Sequence, residues 1–334
     1  MSAVLLELDT VSKRFSRRIS LGDRIAAKLG AKVELREVRA VEEVSISVMR
    51  GETLGLVGES GCGKSTLGRI AAGILPPTSG SARLDGMPVM SESGRHQKLT
   101  TRVQTVFQDP FASLNPRRRI GEAIAEGPLA HGLVDRSGAQ AYVAEQLSRV
   151  GLDPSYASRF PHQFSGGQRQ RVAIARALAM KPDLLICDEP VASLDVSIQA
   201  QVLNLFLDLR RALNLTAIFI SHDLGAVRHL SDRVAIMYLG RIVEIGPAAE
   251  IYAAPKHPYT QALLASVPRL NRSHAGRSVF RPIAGELPSP LAPPSGCHFH
   301  PRCARADARC KVEAPVLRPM GQERRAACHY AEAG

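Results

Sequence analysis

Apolar positions recur along the chain with two periods, and their alternation sketches the elements. Residues 1 to 15 alternate apolar and polar positions in the manner of an edge strand ending at Phe15. Residues 16 to 37 are basic and polar and break that alternation, so they read as an insertion. Residues 38 to 57 hold two strands joined at Arg50-Gly51, the second being the buried run Glu52–Val57. Short strands and turns fill 80 to 110. Helical spacing then dominates 116 to 180, around Ile120, over Tyr142–Val150 and again over Gly166–Met180. Leu184–Asp188 and Thr216–Ile220 are short apolar runs of the kind buried in a parallel sheet, and Ser197–Leu213 between them is helical. Val234–Ile245 reads as a hairpin turning at Gly240. Strands alternating with helices predict an α/β fold with a largely parallel sheet covered on both faces. From about residue 255 prolines recur as far as Pro319 and periodicity is lost, which predicts an irregular Pro- and Cys-rich extension.

Two glycine-rich boxes punctuate this pattern. Gly58-Glu59-Ser60-Gly61-Cys62-Gly63-Lys64-Ser65 follows a buried strand and opens a helix that continues through Thr66. Glycines let backbone N–H groups turn toward phosphate oxygens, Lys64 supplies a point charge, and the Ser65 hydroxyl is suited to Mg²⁺. The positive end of the following helix points at the same anion. Asp188 ends a buried strand, where a carboxylate suits Mg²⁺, and Glu189 follows at once as a candidate general base for the attacking water. The second box, Ser165-Gly166-Gly167-Gln168, also offers backbone N–H groups and a hydroxyl at a helix start. Two such boxes separated by a helical insertion cannot easily serve one nucleotide. A head-to-tail pair of chains resolves the conflict, each nucleotide lying between the first box of one subunit and the second box of the other.

Composition narrows the class. The chain has 334 residues, 45% of them hydrophobic, which is ample for a core. Its mean hydropathy is -0.05, and it contains no apolar run long enough to span a membrane. The N-terminal segment lacks the basic and long apolar regions of a signal peptide, so the expectation is a cytosolic chain. A net charge of +12 invites nucleic acid or an anionic membrane surface as a partner, but no dense basic block occurs, which favours arginines spread over a solvated face, and only 4% of residues are aromatic, which disfavours base stacking.

With these residues in view, the chain resembles the ATP-binding subunits of ABC transporters over about residues 4 to 250. Gly58–Ser65 matches the Walker A loop, Leu184–Asp188 Walker B and Ser165–Gln168 the signature loop. Gln108 matches the Q-loop, Ser193-Leu-Asp195 the D-loop and His222 the H-loop. The resemblance implies a P-loop NTPase fold with a RecA-like core, an antiparallel β subdomain and a helical subdomain at about 112–180, together forming an ATP-binding domain over 1–254. It implies that Gln108 senses the γ-phosphate and helps hold Mg²⁺, that His222 supports the attacking water, and that Phe15 stacks on adenine.

Three further stretches, Gln108–Pro116, Glu189–Gln201 and Lys256–Leu264, are similar to the oligopeptide/dipeptide importer branch, and Tyr238–Gly246 leans to its F-type subunit. That narrower resemblance implies a D-type ATP-binding paralogue, two transmembrane permease subunits and an extracytoplasmic solute-binding protein as partners. It places the chain peripherally on the cytoplasmic face of the inner membrane, hydrolysing ATP to drive uptake of peptides, nickel, glutathione or a similar small solute. The alternative is an ABC ATPase acting on nucleic acid or in translation. Such proteins generally carry two cassettes on one chain or a long coiled coil, and neither occurs here.

Of six cysteines, Cys62 and Cys187 lie within the motifs, and Cys297, Cys303, Cys310 and Cys328 fall in the 255–334 extension. Four thiols suit a tetrahedral metal or an iron–sulfur cluster, but the spacing fits neither the close pairs of structural zinc nor a ferredoxin run. The segment resembles the extension of peptide-importer ATPases, some of which hold a [4Fe–4S] cluster. Cluster, zinc and metal-free thiols all remain open at this level.

Overall fold

Two sheets organise the chain in the computed structural model, which describes residues 3–16, 37–91, 97–109, 113–266 and 283–332. Most of the predicted 16–37 insertion and residues 110–112 of the Gln108–Pro116 stretch lie outside the described residues.

The smaller sheet has strand order β2-β1-β4-β5, all antiparallel: β1 (Val4–Ser16), β2 (Glu37–Met49), β4 (Ser79–Leu84) and β5 (Met87–Pro88). The first strand is not an edge strand. It pairs with β2 on one side (Leu8 opposite Ile46) and with β4 on the other (Leu8 opposite Ala82). Its alternation arises because Leu6 and Leu8 face a core shared with Val44, Ile46 and Val48 while Glu7 and Asp9 face away. Alternation reports one buried face and is silent on neighbours, which is why the strand read as an edge.

The larger sheet runs β11-β12-β10-β9-β3-β8-β7-β6. Its parallel part consists of β9 (Arg233–Tyr238), β3 (Thr53–Val57), β8 (Thr216–Ser221), β7 (Leu184–Asp188) and β6 (Val103–Val106). Every residue of β3, β7 and β8 is buried, as the unbroken apolar runs require. Beyond β9 the pairing turns antiparallel, first through the hairpin to β10 (Arg241–Pro247) at Gly240. Two short strands of the extension, β12 (Arg325–Ala326) and β11 (Arg318–Pro319), then continue the sheet. Among its described residues the extension is irregular over 283–307 but contributes the strands at one edge of the main sheet.

Helix α1 (Lys64–Ala71) follows β3. The predicted helical segment holds α2 (Ile120–Ala130), α3 (Ala139–Arg149) and α4 (Gly166–Leu178). Helix α5 (Val196–Leu213) and α6 (Leu224–Leu230) flank β8, and α7 (Ala248–Ala253), α8 (Pro258–Ala265) and the short α9 (Ala308–Val312) lie in the last third. Among the described residues no helix is long and apolar enough to cross a membrane.

Candidate active site

The chemistry sits at the C-terminal ends of the parallel strands, where an open α/β sheet leaves its crevice. The glycine-rich loop follows β3, Asp188 closes β7, and His222 comes just after β8. Because β3, β8 and β7 are adjacent, residues far apart in sequence meet there.

The loop is shaped by its glycines. At Gly63 φ is +109°, which disfavours a side chain, and a Cβ there would fall on the Ala40 carbonyl. A Cβ at Gly58 would collide with the Met237 carbonyl of β9. Lys64 is 4% exposed, and its Nζ donates to the carbonyls of Gly58 (2.8 Å) and Glu59 (3.1 Å), so the loop closes around its own lysine. Ser60 and Gly61 are exposed at the loop's tip, while Cys62 is buried beneath it with its thiol pushed up by burial. Ser65 and Thr66 enter α1 half-buried.

Ser65 Oγ donates to Asp188 Oδ1 at 2.8 Å. Burial raises the Asp188 carboxyl pKa, and the Ser65 bond works against that rise. A hydroxyl and a carboxylate in contact are a hard-oxygen pair of the kind that fits Mg²⁺. Next in the chain, Glu189 adopts φ 48°, a left-handed conformation unusual for a residue with a side chain. Its N–H is fixed by the Ile220 carbonyl at 2.9 Å. One oxygen of this carboxylate, Oε2, lies 3.3 Å from Gln108 Nε2 and 3.3 Å from His222 Nδ1. The three residues predicted to act on the γ-phosphate and water thus converge on one atom.

The second box makes a capping box at the start of α4: Ser165 Oγ accepts from Gln168 N–H (3.3 Å), and Gln168 Oε1 accepts from Ser165 N–H (3.0 Å). Gly166 and Gly167 pack against the next predicted motif. A Cβ at Gly166 would lie 3.3 Å from Leu194 Cδ2, and one at Gly167 would overlap Ile198 of α5. Asp195 is exposed at the start of α5 and makes no capping bond. Phe15, one residue before the end of β1, is 42% exposed, and Lys13 Nζ sits 5.3 Å from its ring centre.

Sequence reasoning missed how the extension meets the loop. Arg302, whose side chain is 4% exposed, grips Glu59 with both ends of its fork, Nη1 to Oε2 at 2.8 Å and Nη2 to Oε1 at 3.1 Å. Burial opposes the guanidinium charge, and the Glu59 carboxylate more than offsets this, leaving the Arg302 pKa raised. Glu59 N–H donates to Tyr259 Oη at 3.0 Å. Tyr259 is fully buried in an aromatic cluster with Tyr238 and Phe299, ring centres 4.6 to 5.4 Å apart. The only sequence signal was an unpaired acid inside a phosphate loop.

Cys297, Cys303, Cys310 and Cys328 do come together, lining one cavity of about 20 Å³ with Phe299, His300 and Tyr330. Burial raises the pKa of Cys297, to about 11, and those of Cys303 and Cys310. Among the described residues, however, no three Cys, His, Asp or Glu side chains group closely enough to hold a metal ion. The expectation of a cluster is corrected to that extent: the donor set has the right chemistry, but the space is about that of a single water. Cys187 is fully buried in β7, where burial likewise pushes its thiol up.

Fold and site together define a nucleotide-hydrolysing cassette of the P-loop type. Residues 41–192 match the ABC transporter family model, and residues 243–310 match that of the oligopeptide/dipeptide transporter C-terminal region. The chain is 48% identical over 327 residues to the oligopeptide transport ATP-binding protein AppF of Bacillus subtilis, spanning 97% of each. It is 44% identical to the dipeptide transport ATP-binding protein DppF of Escherichia coli over 313 residues, 93% of each. Among solved structures, cbiO1 of Clostridium perfringens, part of the transporter complex cbiONQ, superposes with a TM-score of 0.60 at 27% identity. That match covers 75% of this chain and 91% of the other. The ATP-binding cassette MJ0796, a dimer in a post-hydrolysis state bound to ADP and Pi, also gives 0.60, at 26% identity over 73% of this chain and 99% of that one. The chain belongs to the ATP-binding subunits of oligopeptide/dipeptide ABC transporters. It is an ATPase whose hydrolysis is coupled to transport, and the nucleic-acid alternative gains no support.

Proposed function

We propose that this chain powers peptide uptake as the peripheral ATPase on the cytoplasmic face of a membrane, in a head-to-tail pair with a second ATP-binding subunit of D type. The ATP-binding domain is taken as 1–254 and its extension as 255–334. One observation carries the site assignment: Gln108 and His222 meet on a single oxygen of Glu189, whose neighbour Asp188 is bonded to Ser65 of the phosphate loop.

In this reading Lys64 exchanges the carbonyls of Gly58 and Glu59 for phosphate oxygens, and the N–H groups of Gly61–Ser65 orient the β- and γ-phosphates. Ser65, Asp188 and Gln108 would hold Mg²⁺, which when bound neutralises charge on those oxygens. Glu189 takes the proton of the attacking water, with His222 and Gln108 fixing the direction of its carboxylate. Phe15 offers its exposed ring to adenine. The Ser165–Gln168 turn and Asp195 serve the nucleotide of the partner subunit. Hydrolysis then opens what ATP had closed, because ATP has affinity for both faces only when they meet.

Beside Gln108 a groove of about 740 Å³, lined by Phe107, Ile74, Leu99, Ile124 and Met180, is suited to a helix from a permease subunit. Two such subunits and an extracytoplasmic solute-binding protein complete the assembly, and relatives that are oligopeptide and dipeptide transport proteins favour oligopeptides or dipeptides as solute. Glu189→Gln should keep ATP affinity within about two-fold while lowering turnover by at least about 100-fold, the scale of a lost general base. Turnover at the wild-type rate would remove Glu189 from that role.

A soft-metal or [4Fe–4S] site at the four tail cysteines is supported by their convergence on one cavity, which would have to open well beyond the space of a single water to take a cluster. Anaerobically purified protein should show iron, acid-labile sulfide and visible absorbance, all lost when Cys303 and Cys310 are changed to Ser. Zinc in their place would keep the site and exclude the cluster. Protein that carries neither iron nor zinc would overturn the metal-site reading.

A further inference from the structure

We infer that the C-terminal extension is part of the nucleotide site, with Arg302 a positioning residue that neutralises and anchors Glu59 of the phosphate loop. The inference rests on reading Gly58–Ser65 as the loop that binds ATP.

Glu59 is the one acidic residue of that loop, and a free carboxylate there would repel the phosphates the loop exists to bind. Its charge is met by a planar fork, which suits a carboxylate better than any lysine could. The fork itself is held: Arg302 Nε donates to the Ala284 carbonyl at 3.0 Å, and Nη1 lies 3.5 Å from Tyr238 Oη. The backbone of Glu59 is fixed as well, its N–H by Tyr259 Oη and its carbonyl by Lys64 Nζ. Both the side chain and the N–H of this residue are therefore held from beyond residue 254. The arrangement turns the Glu59 carboxylate onto the extension.

Arg302 also sits between Cys297 and Cys303 in sequence, on the segment that lines the thiol cavity. The segment that shapes the cavity thus also sets the position of the guanidinium.

The test uses the full chain, for ATP affinity and for unfolding temperature without nucleotide, and the permease complex, for KM and kcat. Arg302→Ala should weaken ATP binding and raise KM about ten-fold, the scale of one charged contact, with kcat at saturating ATP within about two-fold. Adding Glu59→Gln to that variant should restore affinity to within about three-fold of wild type, since the repelling charge is gone. Arg302→Lys should fall between. A purely structural role would lower the unfolding temperature and kcat together, leave KM unmoved and give no rescue in the double variant, and that result would overturn the inference. If Arg302→Ala does not fold, the KM of Arg302→Lys decides the matter in the same way. Lys64→Ala is the control. Were it to bind ATP like wild type, the phosphate-loop reading would be the part that fails.

Discussion

At the scale of single residues, the site is built by forcing a few side chains into positions that would be unfavourable elsewhere. Glu189 is held left-handed, Lys64 is buried against carbonyls, and Glu59 puts a negative charge in an anion site. Residue type and spacing marked Lys64 and Glu189 as candidates in the sequence, because the phosphate-loop template accepts few alternatives at Gly63, Lys64 and Ser65. They did not show the left-handed or buried positions these residues take. Arg302 and Tyr259 were not legible. Their partners are more than 190 residues away, and an arginine or tyrosine in a Pro-rich tail has no local pattern to mark it. His257 provides a residue-scale prediction. It is fully buried with its Nδ1 accepting from Tyr259 N–H, and burial lowers its pKa from 6.5 to about 4. Between those values the unfolded chain binds the proton that the folded chain refuses. Stability should thus be complete above about pH 6.5 and decline as pH falls toward 4, by up to about 3 kcal/mol. Denaturant midpoints measured across that range, for wild type and His257→Asn, check this. An equal slope in both would refute it.

Among elements, periodicity identified strands and helices well and their neighbours poorly. The buried runs β3, β7 and β8 were legible because both faces are covered. The inner position of β1 and the return of the extension as β12 were not, since pairing is decided by chain segments far away. The seam where β10 meets the extension is fastened by an ion pair. Glu244 is fully buried, and its carboxylate accepts from Arg324 Nη2 (2.6 Å) and from the N–H groups of Lys256 (2.9 Å) and His257 (3.0 Å). One acid thus ties β10, the turn before β12 and the start of α8. Arg324→Ala leaves that carboxylate without its countercharge and should cost about 3 kcal/mol, read by chemical denaturation. Glu244→Gln in the same chain should recover part of the loss. A loss under about 1 kcal/mol, typical of an exposed pair, would show that the seam is wet.

For the whole molecule, the two glycine boxes lie in different surroundings, as the proposed head-to-tail pair requires. Gly58–Ser65 faces the crevice above β3, whereas Ser165–Gln168 caps α4 against Leu194 and Ile198. This chain alone should hydrolyse ATP poorly, and turnover should rise when its partner ATPase is added. The Glu189→Gln variant supplies the readout: with ATP and the partner present it should elute as a stable closed pair, and with ADP as separate chains. Light scattering on both samples separates those outcomes.

The outermost strands of the main sheet also order events in time. The edge of β10 is complete once Pro247 has been added, but β12, which covers it, begins at Arg325. At roughly 5–20 residues per second, synthesis leaves that edge bare for about 4–16 s, after every nucleotide motif has already been made. A nascent chain stalled in this interval, or nicked within it later, presents β10 as an open template to any strand within reach.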